Sequence, residues 1–179
     1  YANRQIDTLY AWIVRNPSKI KLIHTPDELM QSVKQKKLGA MLGVEGGHMI
    51  ENNLKNLDSL YKRGVRYMGL TWENSTSWAT SANDESKNQI PNPNKGLNDF
   101  GKQIVRQMNE LGMMVDISHA GEQTFWDVIN TTTKPIIASH SCVYNLCPHH
   151  RNLKDEQIKA VGKNDGIIMV CFYPGFLDS

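Results

Sequence analysis

Gly112-Met113-Met114-Val115-Asp116-Ile117-Ser118-His119 is an apolar run that ends on an imidazole, and the fold turns on how it is read. A continuous apolar run without alternation is what a strand covered on both faces looks like. Such strands belong to parallel sheets flanked by helices. Two other stretches repeat the pattern: Leu38 to Val44 runs into Glu45-Gly46-Gly47-His48, and Pro135 to Ser139 runs into His140. Side chains at the carboxyl ends of such strands share one crevice, where barrel and open-sheet enzymes bind their ligands. Glu45, His119 and His140 are therefore expected to converge there on a metal.

Outward from these runs, apolar residues fall at helical spacing. Ile6, Leu9, Tyr10, Ile13 and Val14 mark a helix that stops before Pro17. Thr25-Pro26-Asp27-Glu28 reads as a capping box with proline at the first helical position, and Leu29, Met30 and Val33 are expected on that helix's buried side. Leu54, Leu57, Leu60 and Tyr61 make a helix closed by Gly64, and a strand follows from Val65 to Thr71. Glu73 to Leu97 is polar and long, and it leaves the carboxyl end of a strand, so it is expected to be an active-site lid. Phe100, Ile104, Val105, Met108 and Leu111 mark the next helix, and Phe125, Trp126, Val128 and Ile129 a shorter one before the His140 strand. After the polar loop Ser141 to Asn152 come a helix with Ile158 and Val161 and a last strand, Gly166 to Phe172.

About five strands alternating with helices specify right-handed βαβ units and a parallel sheet. No Gly-x-Gly-x-x-Gly or Gly-Lys-Ser/Thr phosphate loop follows a strand, so a barrel is favoured over an open nucleotide-binding sheet. The 179 residues fit a single domain, with 40% hydrophobic and 21% charged residues. No apolar run approaches the roughly 20 residues that cross a bilayer, and the first residues show no signal-peptide pattern. A net charge of +2 without a basic stripe argues against nucleic acid as a partner. Three cysteines are too few for a disulfide scaffold, and the compartment is left open.

Carboxylate oxygen and imidazole nitrogen are ordinary zinc ligands, and bound zinc brings the pKa of water towards about 7, so a metal-bound hydroxide and hydrolysis are the expected chemistry. Taken singly, each ligand has a plainer reading: a helix-capping carboxylate for Glu45, hydrogen-bonded core residues for the histidines. His48, on its Gly-Gly turn, is expected at most to orient Glu45. Arg151 has the geometry to hold a substrate carboxylate in a bidentate fashion, against the plainer reading of a surface arginine. Trp72, at the end of the 65–71 strand, is expected to wall the pocket, or else to be core. A rival cluster, Cys142, Cys147, His149 and His150, lacks the Cys-x-x-Cys spacing of structural zinc sites.

Read together, Gly43-Val44-Glu45-Gly46-Gly47-His48, Gly64-Val65-Arg66-Tyr67-Met68-Gly69-Leu70-Thr71, Gly96-Leu97-Asn98-Asp99-Phe100-Gly101, Leu111 to His119, Ile137-Ala138-Ser139-His140-Ser141 and Arg151-Asn152-Leu153 form an ordered set. This set resembles the membrane (renal) dipeptidase family, peptidase family M19. The resemblance implies a metal-dependent (β/α)8 TIM barrel with two zinc ions that hydrolyses dipeptides. It also implies that Glu45 bridges both metals, that His119 and His140 bind the second, and that Arg151 binds substrate. Two departures stand out. Trp72 occupies the place of the family's substrate-binding histidine, and the family's His-x-Asp pair on the first strand and aspartate on a late strand have no counterpart here.

The chain is therefore expected to be the central portion of such a barrel, without its first strand and its last few. It is expected to hold one zinc ion or none, with activity incomplete, and to associate with the missing segments or as a homo-oligomer through its open edges. Other readings of the same residues are a metal-dependent barrel amidohydrolase of different substrate, or an inactive fragment serving as a binding module.

Overall fold

The computed structural model describes residues 1–89 and 95–178. Its first helix, α1 (Ala2–Arg15), turns Ile6 inward and leads to a short strand, β1 (Ile20–Leu22). Helix α2 (Pro26–Lys34) begins on the expected capping box: the Glu28 N–H donates to Thr25 Oγ1 at 3.2 Å, and the Thr25 N–H to Glu28 Oε2 at 3.2 Å. Its buried side differs from the expected one. Leu29, Met30 and Val33 are exposed, and Ser32 is the residue buried. The cause is close approach at Gly39, where an added Cβ would lie 3.0 Å from Ser32 Oγ and 3.0 Å from Ile23. A small side chain lets the helix sit down on the strand, and that rotates the apolar residues outward.

The expected strand from 38 to 44 is two strands in two sheets. β2 (Leu38–Ala40) pairs in parallel with β1, an element the sequence reading lacks, and β3 (Leu42–Val44) pairs with β4 (Val65–Gly69). Neither piece is covered on both faces, since Leu38 and Gly43 are exposed. The break at Met41 falls where one neighbouring strand ends and another begins, so each half follows its own partner.

The remaining elements are α3 (Leu54–Lys62), α4 (Ala82–Ser86), α5 (Asp99–Leu111), β5 (Met114–Asp116), α6 (Glu122–Thr131), β6 (Ile137–Ser141), α7 (Asp155–Lys163) and β7 (Ile167–Val170). Gly64, at φ +97, and Gly112, at φ +77, follow α3 and α5 in the left-handed conformation that suits glycine at a helix end. Strands β3 to β7 form one parallel sheet in chain order. An open doubly wound sheet reverses its order at a switch point, whereas a barrel adds each strand beside the last. The sheet is thus an arc of a (β/α)8 barrel. The core lies between it and its helices, where Leu57 of α3, Met108 of α5 and Phe125 of α6 share one cluster with Val65, Met68 and Val115 of the strands.

The stretch from 73 to 97 is not an open lid over its described part. Trp78, Ala79, Thr80 and Ser81 are excluded from solvent, and the Trp78 ring lies so close to Gly47 that an added Cβ there would sit 2.4 Å from it. Trp78 also meets Phe100 edge-on with ring centres 6.4 Å apart. A large indole buried in the core outweighs the polarity of its neighbours, which hydrogen-bond among themselves. Residues 90–94 of the expected lid lie outside the described residues. Among the described residues, no helix is long and apolar enough to cross a membrane.

Candidate metal centre

Each of the three expected ligands stands just past, or within, the end of a strand, for a separate local reason. Glu45 follows β3, and Gly46 at φ +90 then turns the chain into the short 3-10 turn Gly47–Ile50. His140 lies in β6 itself. His119 comes three residues after β5, because Asp116 Oδ1 accepts the Ser118 N–H at 3.0 Å and curls the chain. That turn leaves His119 at φ +67, a conformation L-residues rarely adopt and one that recurs at functional sites.

The three side chains meet. His119 Nε2 and His140 Nε2 are 3.0 Å apart, and Glu45 Oε1 lies 3.2 Å from the first and 3.3 Å from the second. Among the described residues this is the one group of three or more such side chains whose donor atoms gather within a few ångströms. The Cys142, Cys147, His149, His150 cluster does not gather: Cys147 Sγ points to the Gly175 carbonyl, and His149 stacks on His150 at 4.2 Å between ring centres.

The contact between Glu45 and His119 is not an ion pair. Burial, helped by the positive charge of Arg151 and by His140 and His150, pushes the His119 pKa from its usual 6.5 to about 3, so the ring is neutral at neutral pH. Two imidazole nitrogens and a carboxylate oxygen at these separations present lone pairs that a positive charge between them would satisfy. A tetrahedral ion with bonds of roughly 2.0–2.1 Å requires ligand atoms about 3.3 Å apart, close to the triangle observed. The residues present fit a small divalent cation of the N/O-binding kind.

Surrounding groups hold the imidazoles in place. Ser139 Oγ lies 2.7 Å from His140 Nδ1 and 2.5 Å from Asp116 Oδ2, and Asp116 is almost wholly buried. Glu73 Oε1 is 3.1 Å from His119 Nδ1, though off the direction of a good hydrogen bond. The sequence reading lacks Asp116, Ser118, Ser139 and Glu73. The spacing Asp116-x-Ser118, typical of a turn in which an aspartate accepts the second N–H beyond it, is a signal for two of them. His48 does not orient Glu45 by any hydrogen bond of the structure: its Nε2 sits 3.2 Å from the Ser75 carbonyl and 3.1 Å from the Asn74 amide.

Arg151 is 4% exposed, which overturns the surface reading, and none of its three guanidinium nitrogens has a hydrogen-bond partner. The Phe176 ring covers one side, 5.3 Å from the guanidinium carbon. Burial lowers its pKa, while Glu73, Cys171, Glu45 and Asp116 pull the other way. An arginine stays charged in any such setting, so this is a buried cation that forms no salt bridge among the described residues. It lines a cavity of about 200 Å³ that His119, Tyr144 and His150 also line. Trp72 stands half-exposed beside the triad, its ring centre 6.5 Å from that of His119.

The sequence profile of the membrane dipeptidases, peptidase family M19, matches residues 2–179. The chain belongs to that family. An uncharacterised dipeptidase of Schizosaccharomyces pombe is 33% identical over 174 residues, which are 97% of this chain and 41% of that protein. Among solved structures, the probable dipeptidase PvdM of Pseudomonas aeruginosa is 25% identical with a TM-score of 0.87, covering 96% of this chain and 43% of its own. A metallopeptidase of Rhodobacter sphaeroides, solved with a phosphinate mimic of the dipeptide L-Ala-D-Ala, is 25% identical with a TM-score of 0.85, covering 96% and 49%. The chain thus spans less than half the length of each of these relatives.

Proposed function

We propose that this chain carries the metal-binding part of a zinc-dependent dipeptidase, with residues 1–179 forming the central portion of its barrel. The observation that carries the proposal is the triangle of Glu45 Oε1, His119 Nε2 and His140 Nε2, three lone-pair donors within 3.3 Å of one another. A zinc ion held there supplies Lewis-acid polarisation of the scissile carbonyl and makes water acidic enough to ionise near neutral pH. The rest of the chemistry belongs to side chains. Arg151 pairs with the substrate's terminal carboxylate, which satisfies its orphaned guanidinium and sets the distance from that end to the reacting carbonyl. The Trp72 indole walls the mouth beside His119, where it shields the reacting bond from bulk water. Dipeptides are the substrate class that places a free carboxylate one residue from the scissile bond.

Titration with zinc or cobalt, read by calorimetry and by the cobalt visible spectrum, tests the reading together with hydrolysis of dipeptides alongside lactones and phosphoesters. One tightly held ion per chain, weakened at least tenfold in His140→Ala, is the expected result. No binding by the wild-type chain, or hydrolysis favouring a substrate without a carboxylate, overturns it.

A further inference from the structure

Between the two histidine-bearing strands lies a hydrogen-bond relay that the proposed chemistry leaves unused. Asp116 ends β5 with its carboxylate buried, and it accepts from three donors: the Ser118 N–H at 3.0 Å, the Ser139 N–H at 3.0 Å and the Ser139 hydroxyl at 2.5 Å. The first donor belongs to the turn carrying His119, and the other two to the residue beside His140. Ser118 completes the frame, its Oγ accepting the His140 N–H at 3.0 Å. The β5–β6 ladder contributes little here, since its register pairs only Asp116 with Ile137.

We infer that Asp116 is the positioning residue for both imidazoles, and that Ser139 passes its influence to His140 as a choice of tautomer. The inference rests on the metal-site reading above. A carboxylate at neutral pH only accepts hydrogen bonds, so the single Ser139 hydroxyl proton points to Asp116. The oxygen then has only lone pairs to offer His140 Nδ1, 2.7 Å away. Nδ1 therefore carries the ring proton, and Nε2 is left bare, facing Glu45 Oε1 and His119 Nε2. Reversing the hydroxyl would put the proton on Nε2, where a ligand lone pair is needed. Asp116 thus sets the spacing of the two rings and, through one hydroxyl, which nitrogen of His140 is free.

Asp116→Asn separates the two roles. An asparagine oxygen still accepts the backbone N–H groups, but its NH2 donates to Ser139 Oγ, which frees the hydroxyl proton to turn to His140 Nδ1 at 2.7 Å or to Ser118 Oγ at 3.3 Å. The expected result is a gain of the Nε2–H tautomer of His140, the nearer acceptor being Nδ1, read from the imidazole 15N shifts of the metal-free chain at about pH 8, above the usual imidazole range. Zinc affinity should fall about 10- to 100-fold, the usual loss when a partner behind a metal ligand is removed. Ser139→Ala should give mixed tautomers and a similar loss, and Ser139→Thr, which keeps the hydroxyl, should restore both. A purely structural role would lower the melting temperature without moving the tautomer. Unchanged 15N shifts in Asp116→Asn and Ser139→Ala overturn the inference even if the wild type binds zinc. Absence of zinc binding by a wild type whose shifts do respond overturns the metal-site reading instead.

Discussion

His119 and Arg151 show what this chain gives up for its site. The His119 pKa near 3 in the folded chain lies below the usual 6.5 of an unfolded one, so the unfolded state binds more protons between those values. Its contribution to stability is therefore fully present above about pH 6.5 and is lost as the pH falls towards 3, by a few kcal/mol at most. Urea unfolding of the metal-free chain across that range should show falling stability, and His119→Gln should flatten the slope. Arg151 is a buried cation with no hydrogen-bond partner among the described residues, and burying a charge that is not hydrogen-bonded is costly. Arg151→Met is expected to raise the melting temperature by a few degrees, equivalent to about 1–3 kcal/mol. The same change should abolish dipeptide binding measured by ligand NMR; a less stable variant that still binds would contradict both assignments.

At the scale of elements, Trp78 carries the sharpest prediction. Its indole holds the segment after β4 against Gly47 and Phe100, so Trp78→Ala is expected to cost about 3–5 kcal/mol. The measurement is a denaturant midpoint, and a loss under 1 kcal/mol would restore the lid reading for this segment. Its polar neighbours, Ser75 to Ser81, explain why the sequence pointed to a loop: composition reports what surrounds a lone anchor and not the anchor. The helices were legible because their apolar spacing and caps are local. Gly64 closed α3 as expected, and the Thr25 box opened α2. The face of α2 was not legible, because it depends on Ser32 packing so close to Gly39 that a Cβ added there would lie 3.0 Å from the serine hydroxyl. Nor was the split at Met41, which depends on where neighbouring strands end. The three candidate ligands could be picked out from strand ends alone, whereas Asp116, Ser139 and Glu73 come beside them through contacts between segments that no single stretch of sequence displays.

For the molecule as a whole, the arc of five strands leaves β3 and β7 as edges, and Ile167, Met169, Val170 and Phe172 near the last of them are exposed. Leu29, Met30 and Val33 of α2 add a second apolar surface. Exposed edges and apolar patches drive association. The chain is expected to elute from a sizing column above its 20.3 kDa mass and increasingly so with concentration, and Met169→Lys with Phe172→Lys should shift it towards monomer. A monodisperse monomer at high concentration would show that these surfaces do not self-pair. The sequential order of the strands has a further consequence during synthesis. Each new strand docks on the one made just before it, and chains fold from the amino end as they emerge from the ribosome. Glu45, His119 and His140 are all delivered by the time β6 has paired, so on the proposed reading the metal site is assembled before β7 has left the exit tunnel, and an ion bound at that stage would hold the growing sheet together while the rest is translated.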